Sequence, residues 1–278
     1  MTRSSCLRWG LALLCLAMFN SCCFCPPVET RWNAPRIRFL LTFDDGPSIR
    51  KGVNPTLSIA DQLATNDIQN GIHAMFFVQT RHPRGGGTPE GRAIMRQLHE
   101  RGHVLGIHSV SPQGHVDHTT IPTTNLVPLL AEAKTLIRSL TDGADPAFVR
   151  PPYGVRNDRT RAIYRDLNLR LLLGDIRARD GVIYGYNMSL TRRVHMRHAL
   201  AELRTKLAGT PAGAVLYPVI VCFHDVNPYT ARHMTEYLHI LVDEARREGL
   251  ALDDKPFYGT REEIEAVGLR RSAPPPPR

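Results

Sequence analysis

Two adjacent carboxylates, Asp44 and Asp45, close an apolar, β-rich run over residues 37–43, and Gly46-Pro47 then turns the chain. Acids at the end of a buried strand are costly unless a metal ion or a buried cation compensates them. Successive strand side chains point to opposite sides, yet at the bend into a loop two neighbours can converge on one cleft. One acid can then bind a cation while the other serves as base on a water held by that cation. Taken alone, Asp-Asp-Gly reads first as a plain turn closing a strand. Other apolar runs end in the same manner. Residues 103–107 lead into His108 and a His-rich loop, 148–149 into Arg150-Pro151-Pro152-Tyr153-Gly154, 169–176 toward Asp180, and 215–223 into His224-Asp225.

These runs alternate with segments of helical spacing at 55–67, 89–101, 125–140, from 158, 189–207, and from a Thr230 cap to about 248. Strands alternating with helices six or seven times predict an α/β fold with parallel strands. Asp44, His108, Arg150, Asp180 and His224 all fall at strand ends, the active-site face of parallel barrels.

The remaining composition sets bounds. A chain of 278 residues, 42% apolar and 22% charged, fits one large domain with appendages. Arg3 and Arg8 precede an apolar stretch at 9–19, too short to span a bilayer and suited to the centre of a signal peptide. Asn20-Ser21-Cys22 then resembles a lipoprotein processing site, although Phe19 and Asn20 depart from its preferences. The expectation is export to the periplasm or cell envelope, with residues 1–22 as signal peptide and 23–35 as linker, and with Cys22 as a candidate lipid anchor to the membrane. Five of six cysteines lie in the first 25 residues, so Cys222 has no disulfide partner in the body and reads as a small core residue. The formal charge of +9 favours anionic envelope polymers or lipid head groups as neighbours. Nucleic acid is disfavoured, since the basic residues are dispersed and no aromatic-basic motif is present. The Pro-rich end, taken as 261–278, reads as a low-complexity tail.

In order along the chain, Thr42-Phe43-Asp44-Asp45-Gly46-Pro47, His73 to Val78, Gly102 to Ser109, Arg150 to Gly154, and Val221 to Asp225 resemble the motifs of the polysaccharide deacetylase family, the NodB-homology or carbohydrate esterase family 4 domain. The resemblance covers about residues 36–250. It implies a distorted, incomplete (β/α) barrel over 36–260 and one divalent metal ion, zinc or else cobalt, nickel or manganese. By the same resemblance Asp44 is the base, Asp45 and His108 are metal ligands, Arg150 pairs with Asp44, and His224 is the acid oriented by Asp180. The backbone of Tyr153 would help the metal stabilise an oxyanion. Two motifs depart from the family pattern. The second ligand histidine is displaced, leaving His115 as the preferred third ligand and His118 as the alternative. Gly181 stands where the family has Trp, with Asp175 as a substitute partner for His224. The implied activity is removal of N-acetyl groups from N-acetylglucosamine-type units of an envelope polysaccharide or peptidoglycan. The alternatives are an O-acetyl esterase, or a catalytically impaired polysaccharide-binding protein on the same fold.

Overall fold

Strand β1 (Ile37–Asp44) is buried along its whole length and lies in the interior of the sheet. The computed structural model describes residues 35–180, 188–208 and 216–272, and all of them belong to one unit, Asn33–Arg278. The remaining strands are β2 (Met75–Gln79), β3 (Val104–Ser109), β4 (Phe148–Val149), β5 (Arg170–Leu171), β6 (Ile176–Arg177), β7 (Tyr217–His224) and β8 (Leu252–Phe257). Every pairing is parallel, in the order β5-β4-β3-β2-β1-β7-β6, with β8 added to the start of β1.

Connectivity forces this sheet to curl. Strands β5 and β6 are at opposite edges, a path of about 29 Å at ordinary strand spacing. Leu172 to Asp175 alone join them, and so short a link reaches no more than about 18 Å. The sheet must therefore bend into an open barrel whose unpaired edges approach one another. The run at 169–176, which the sequence presents as one strand, is two short strands for this reason.

Side-chain alternation separates inside from outside. Leu40, Met75, Phe77, Val104, Phe148 and Ile220 form one cluster, which fills the barrel. Their neighbours Phe39, Leu41, Phe43, Phe76, Val149, Val221 and Phe223 belong to a second cluster, packed under the outer helices. These helices are α1 (Pro55–Ala64), α2 (Pro89–Glu100), α3 (Thr123–Leu140), α4 (Asp158–Asp166), α5 (Met188–Leu207), α6 (Pro228–Arg232) and α7 (Met234–Arg247). Helices α1 and α2 start as their sequences dictate, with Asn54 and Thr88 capping ahead of Pro55 and Pro89.

Two sequence expectations are corrected here. Thr230 does not cap a helix: Asn227 caps α6, whose C-terminal His233 separates it from α7. Thr230 is thereby freed for the active-site face. Nor does a low-complexity tail begin at 261, because helix α8 (Arg261–Arg271) occupies that stretch. It is capped by Thr260 and buries Ile264, Val267 and Gly268 against the barrel interior. A Cβ on Gly268 would lie 2.5 Å from the Phe148 ring and 2.8 Å from Met75 Cε, so glycine permits this close approach. Arg38, at the start of β1, ties the plug down through Glu263 at 2.7 Å and stacks over Tyr258. The stretches expected to be signal peptide (1–22) and linker (23–34 of 23–35), and residues 273–278 of the Pro-rich end, lie outside the described residues. Among the described residues no helix is long and apolar enough to cross a membrane.

Candidate active site

Along β1 the inward-facing positions are Arg38, Leu40, Thr42 and Asp44, and the same parity places His108 on β3 and His224 on β7 inside the barrel. Arg150 follows β4 in the same phase, after inward-facing Phe148. The sheet's period therefore brings residues from distant parts of the sequence to one mouth. Asp45 would point away by this rule, but its φ of 75° places it in the left-handed region and swings the chain through a bend. Its carboxylate reaches the same cleft as Asp44's neighbours. Gly46 follows because the Asp225 carboxyl occupies the space its Cβ would take.

Asp45, His108 and His115 converge. His108 Nε2 lies 2.8 Å from His115 Nε2, and these atoms lie 3.3 and 3.5 Å from Asp45 Oδ1. Donor atoms on a tetrahedral ion with bonds of about 2.0–2.1 Å stand roughly 3.3–3.4 Å apart, so this triangle is close to one face of such a site. His108 Nδ1 meets the Arg150 carbonyl at 2.6 Å. A carbonyl can only accept, so Nδ1 carries the proton and Nε2 keeps its lone pair for a ligand bond. Burial alone would raise the Asp45 pKa, yet the hydrogen bond and charge of His108, aided by His115, hold it below the usual carboxylate range. Burial pushes His115 down, favouring its neutral, ligating form.

The displaced histidine has a local explanation. Residues 111–114 make a tight turn, with Gly114 N bonded to Ser111 O at 3.1 Å and Ser109 Oγ bonded to Gly114 O. This turn takes up the extra residues and sets His115 beside His108. His118 stands outside the group. It is fully buried, bonded through Nδ1 to the Tyr164 hydroxyl at 2.8 Å, and burial drives its pKa down to about 4.

Asp44 is gripped by Arg150, whose Nη1 donates to Oδ1 at 2.8 Å and to the Thr42 hydroxyl at 2.7 Å. Nε of the same guanidinium binds the Leu172 carbonyl at 2.9 Å, and its plane lies 4.2 Å above the Phe77 ring. Such fixing from several sides leaves the carboxylate one orientation. Across the cleft, His224 Nδ1 donates to Asp180 Oδ1 at 2.9 Å. Asp180 is itself held by the His224 amide at 2.9 Å and by the Thr230 hydroxyl at 2.6 Å. Burial opposes protonation of His224, but the Asp180 bond and charge outweigh it and raise the pKa to about 9. Asp175, the substitute partner considered from sequence, is remote from His224, because Arg271 and the Ile220 amide hold it at the sheet's edge. Gly181 lies outside the described residues.

Tyr153 is exposed, with its ring 4.2 Å from that of His115 and its backbone at φ 59°, a conformation few non-glycine residues adopt. Three residues with a part in the site were missed from sequence: Gln79, Thr230 and Asp225. Gln79 Nε2 donates to Asp45 Oδ1 at 3.0 Å. Its position at the end of β2, in phase with Met75 and Phe77, was the available signal. Asp225 is buried beneath Gly46 and accepts from Thr56 Oγ1 at 2.7 Å; burial first, then the nearby Asp45 and Asp44 charges, push its pKa up to about 7.

Comparison with known proteins points the same way. A chitin deacetylase of Arthroderma benhamiae is 24% identical over 210 residues, which cover 76% of this chain and 48% of that protein. A peptidoglycan-N-acetylglucosamine deacetylase of Listeria monocytogenes is 26% identical over 234 residues, 80% of this chain and 42% of the relative. The chain thus spans about half the length of the curated relatives it matches. Among solved structures, the chitin deacetylase of Colletotrichum lindemuthianum superposes with a TM-score of 0.58 at 21% identity, covering 83% of this chain and 89% of that one. A family 4 carbohydrate esterase of Streptomyces lividans gives 0.55 at 19% identity, covering 76% and 91%. Both share the curled parallel sheet. Residues 33–172 match the family profile described as polysaccharide deacetylase, half of the sequence and the half that carries Asp44, Asp45, His108, His115 and Arg150, and on that match this chain belongs to the polysaccharide deacetylase family.

Proposed function

We propose that this chain is a divalent-metal-dependent hydrolase that removes N-acetyl groups from N-acetylglucosamine-type units of a cell-envelope polysaccharide or peptidoglycan. One observation carries the reading. Asp44 and His224 are register partners on adjacent strands, so a carboxylate and a protonated imidazole rise side by side at the mouth that also holds the Asp45–His108–His115 triangle.

Those three residues would hold the ion, for which zinc is the first candidate by donor set. When bound, such an ion lowers the pKa of a water and polarises the acetamide carbonyl. Asp44, anchored through Oδ1, presents Oδ2 to take a proton from the attacking water. The Tyr153 amide N–H assists the developing oxyanion in this reading. His224, charged near neutrality because its pKa stands at about 9, gives its Nε2 proton to the departing amine. Asp180 accepts from Nδ1 throughout and fixes the ring. Acetate and a free amino sugar result.

The two curated relatives are named as a chitin deacetylase and a peptidoglycan-N-acetylglucosamine deacetylase, which supports this substrate class, and the leader-like residues 1–22 support export to the envelope. The test is metal content and acetate release by the full chain on N-acetylglucosamine oligomers, beside O-acetylated xylan. Bound divalent metal, with amide hydrolysis abolished by Asp44→Asn, is the expected result. Release from the O-acetyl ester alone would overturn the amide assignment. Failure on both glycans under metal supplementation would overturn the hydrolase.

A further inference from the structure

A groove of about 810 Å³ opens where the two sheet edges approach, between α4, β5, the Leu173–Asp175 link and the end of α8. Five arginines line it: Arg156, Arg161, Arg165, Arg170 and Arg271. Its one acidic lining residue, Asp175, is already matched by Arg271. Arg161 and Arg170 are exposed, and among the described residues their guanidinium groups make no hydrogen bond or ion pair. Arg165 reaches only its neighbour Asp166, at 3.5 Å and with both side chains largely in water, a contact of little strength. The groove therefore carries a concentrated positive potential that the protein does not answer.

Its position ties it to the catalytic mouth. Arg156 Nη1 donates to the Gly154 carbonyl at 3.0 Å, in the loop that carries Tyr153. Leu173, in the groove wall, comes within 3.9 Å of the point where a side chain on Gly154 would begin. The groove wall thus adjoins the loop that carries Tyr153 at the mouth. The arginines do not converge on a point. One precedes α4, two stand a helical turn apart on α4, one lies on β5 and one ends α8. That distribution suits single negative charges repeated along a strand, with Leu171, Leu173 and Leu269 offering apolar surface to sugar rings.

We propose that this groove binds the carboxylate-bearing stretch of an acidic glycan, the same strand whose acetamide enters the active site. The proposal rests on the deacetylase reading and narrows its substrate class to polysaccharides that carry uronate-type charges beside the N-acetylated sugar.

The probe is an oligomer alternating glucuronate with N-acetylglucosamine, set against a chitin oligomer of equal length, with binding and acetate release measured separately on the full chain. The acidic oligomer should bind about tenfold or more tightly at low salt, with the advantage shrinking as salt rises. In Arg161→Glu/Arg170→Glu the ratio of kcat/KM on the acidic to the neutral oligomer should fall about tenfold, mainly through KM. Arg161→Gln/Arg170→Gln replaces it if the charge reversal does not melt cooperatively. Equal affinity for both oligomers, or a ratio untouched by the substitutions, overturns the groove while leaving the deacetylase intact. So does charge-sensitive binding that appears only on phosphatidylglycerol vesicles. Charge-dependent oligomer binding without acetate release from any acetylated glycan leaves the groove and removes the catalytic reading.

Discussion

A single carboxylate, Asp180, sets the charge state of His224. Asp180 raises the His224 pKa to about 9 against the pull of burial, so the imidazolium persists through neutrality and is lost as pH climbs through that value. Asp180→Asn removes the charge and reverses the hydrogen bond's preference, so the alkaline limb of the rate profile should move toward acid by one or more pH units, about 1.4 kcal/mol per unit. A limb that stays in place in the variant would mean that another group supplies the proton. Gln79 acts on the side of the proposed metal ligands. By donating to Asp45 Oδ1 it fixes the carboxylate that His108 and His115 also face. Gln79→Leu should weaken metal affinity by about 10–100-fold, the usual effect of losing an outer partner, with the melting temperature of the metal-free protein little changed. Competition against a chelator reads this directly.

At the scale of elements, α8 is the plug of the barrel and Gly268 its point of closest approach. Gly268→Ala raises helix propensity by about 1 kcal/mol but forces a methyl group against Phe148, an overpacking that costs about 1–3 kcal/mol. The net expectation is a lower melting temperature, whereas a higher one would show α8 to be undocked. This element also marks the limit of what the sequence displays. Strands β1, β2, β3 and β7 are visible as apolar runs because they are buried on both faces. Strand β8, Leu-Asp-Asp-Lys-Pro-Phe, pairs along one side only and buries Phe257 alone, so it shows no such run. Helix α8 buries only Ile264, Val267 and Gly268, an apolar stripe about one turn long and too short to stand out in the sequence. The fold class was legible from the alternating strands and helices, and the strand ends pointed directly to Asp44, His108, Arg150 and His224, which the structure brings to one mouth. His115 was harder to place, depending on a four-residue turn, and Gln79 and Thr230 act only through partners that sequence does not bring near.

Across the whole molecule, pH stability is set by buried groups that oppose one another. His103 and His118 are buried as neutral rings, with burial the chief cause of pKa values near about 3 and about 4. Their folded values lie below the unfolded 6.5, so the stability they contribute is present above that pH and is lost as pH falls toward 4 and then 3. Asp225 works in the other direction. Its folded value of about 7 lies above the unfolded 3.8, so its contribution is full below 3.8 and is lost as pH rises through 7. Each of these shifts amounts to a few kcal/mol at about 1.4 kcal/mol per unit, and two histidines outweigh one aspartate. The metal-free protein should therefore lose stability between pH 6.5 and 4, but less than its histidines alone demand. Asp225→Asn keeps the shape beneath Gly46 and the Thr56 contact while deleting the opposing proton. Its melting temperature should match or exceed that of the parent at pH 7.5 and fall more steeply toward pH 4.5. Parallel curves for the two proteins would show that Asp225 is not the buried neutral acid its surroundings require.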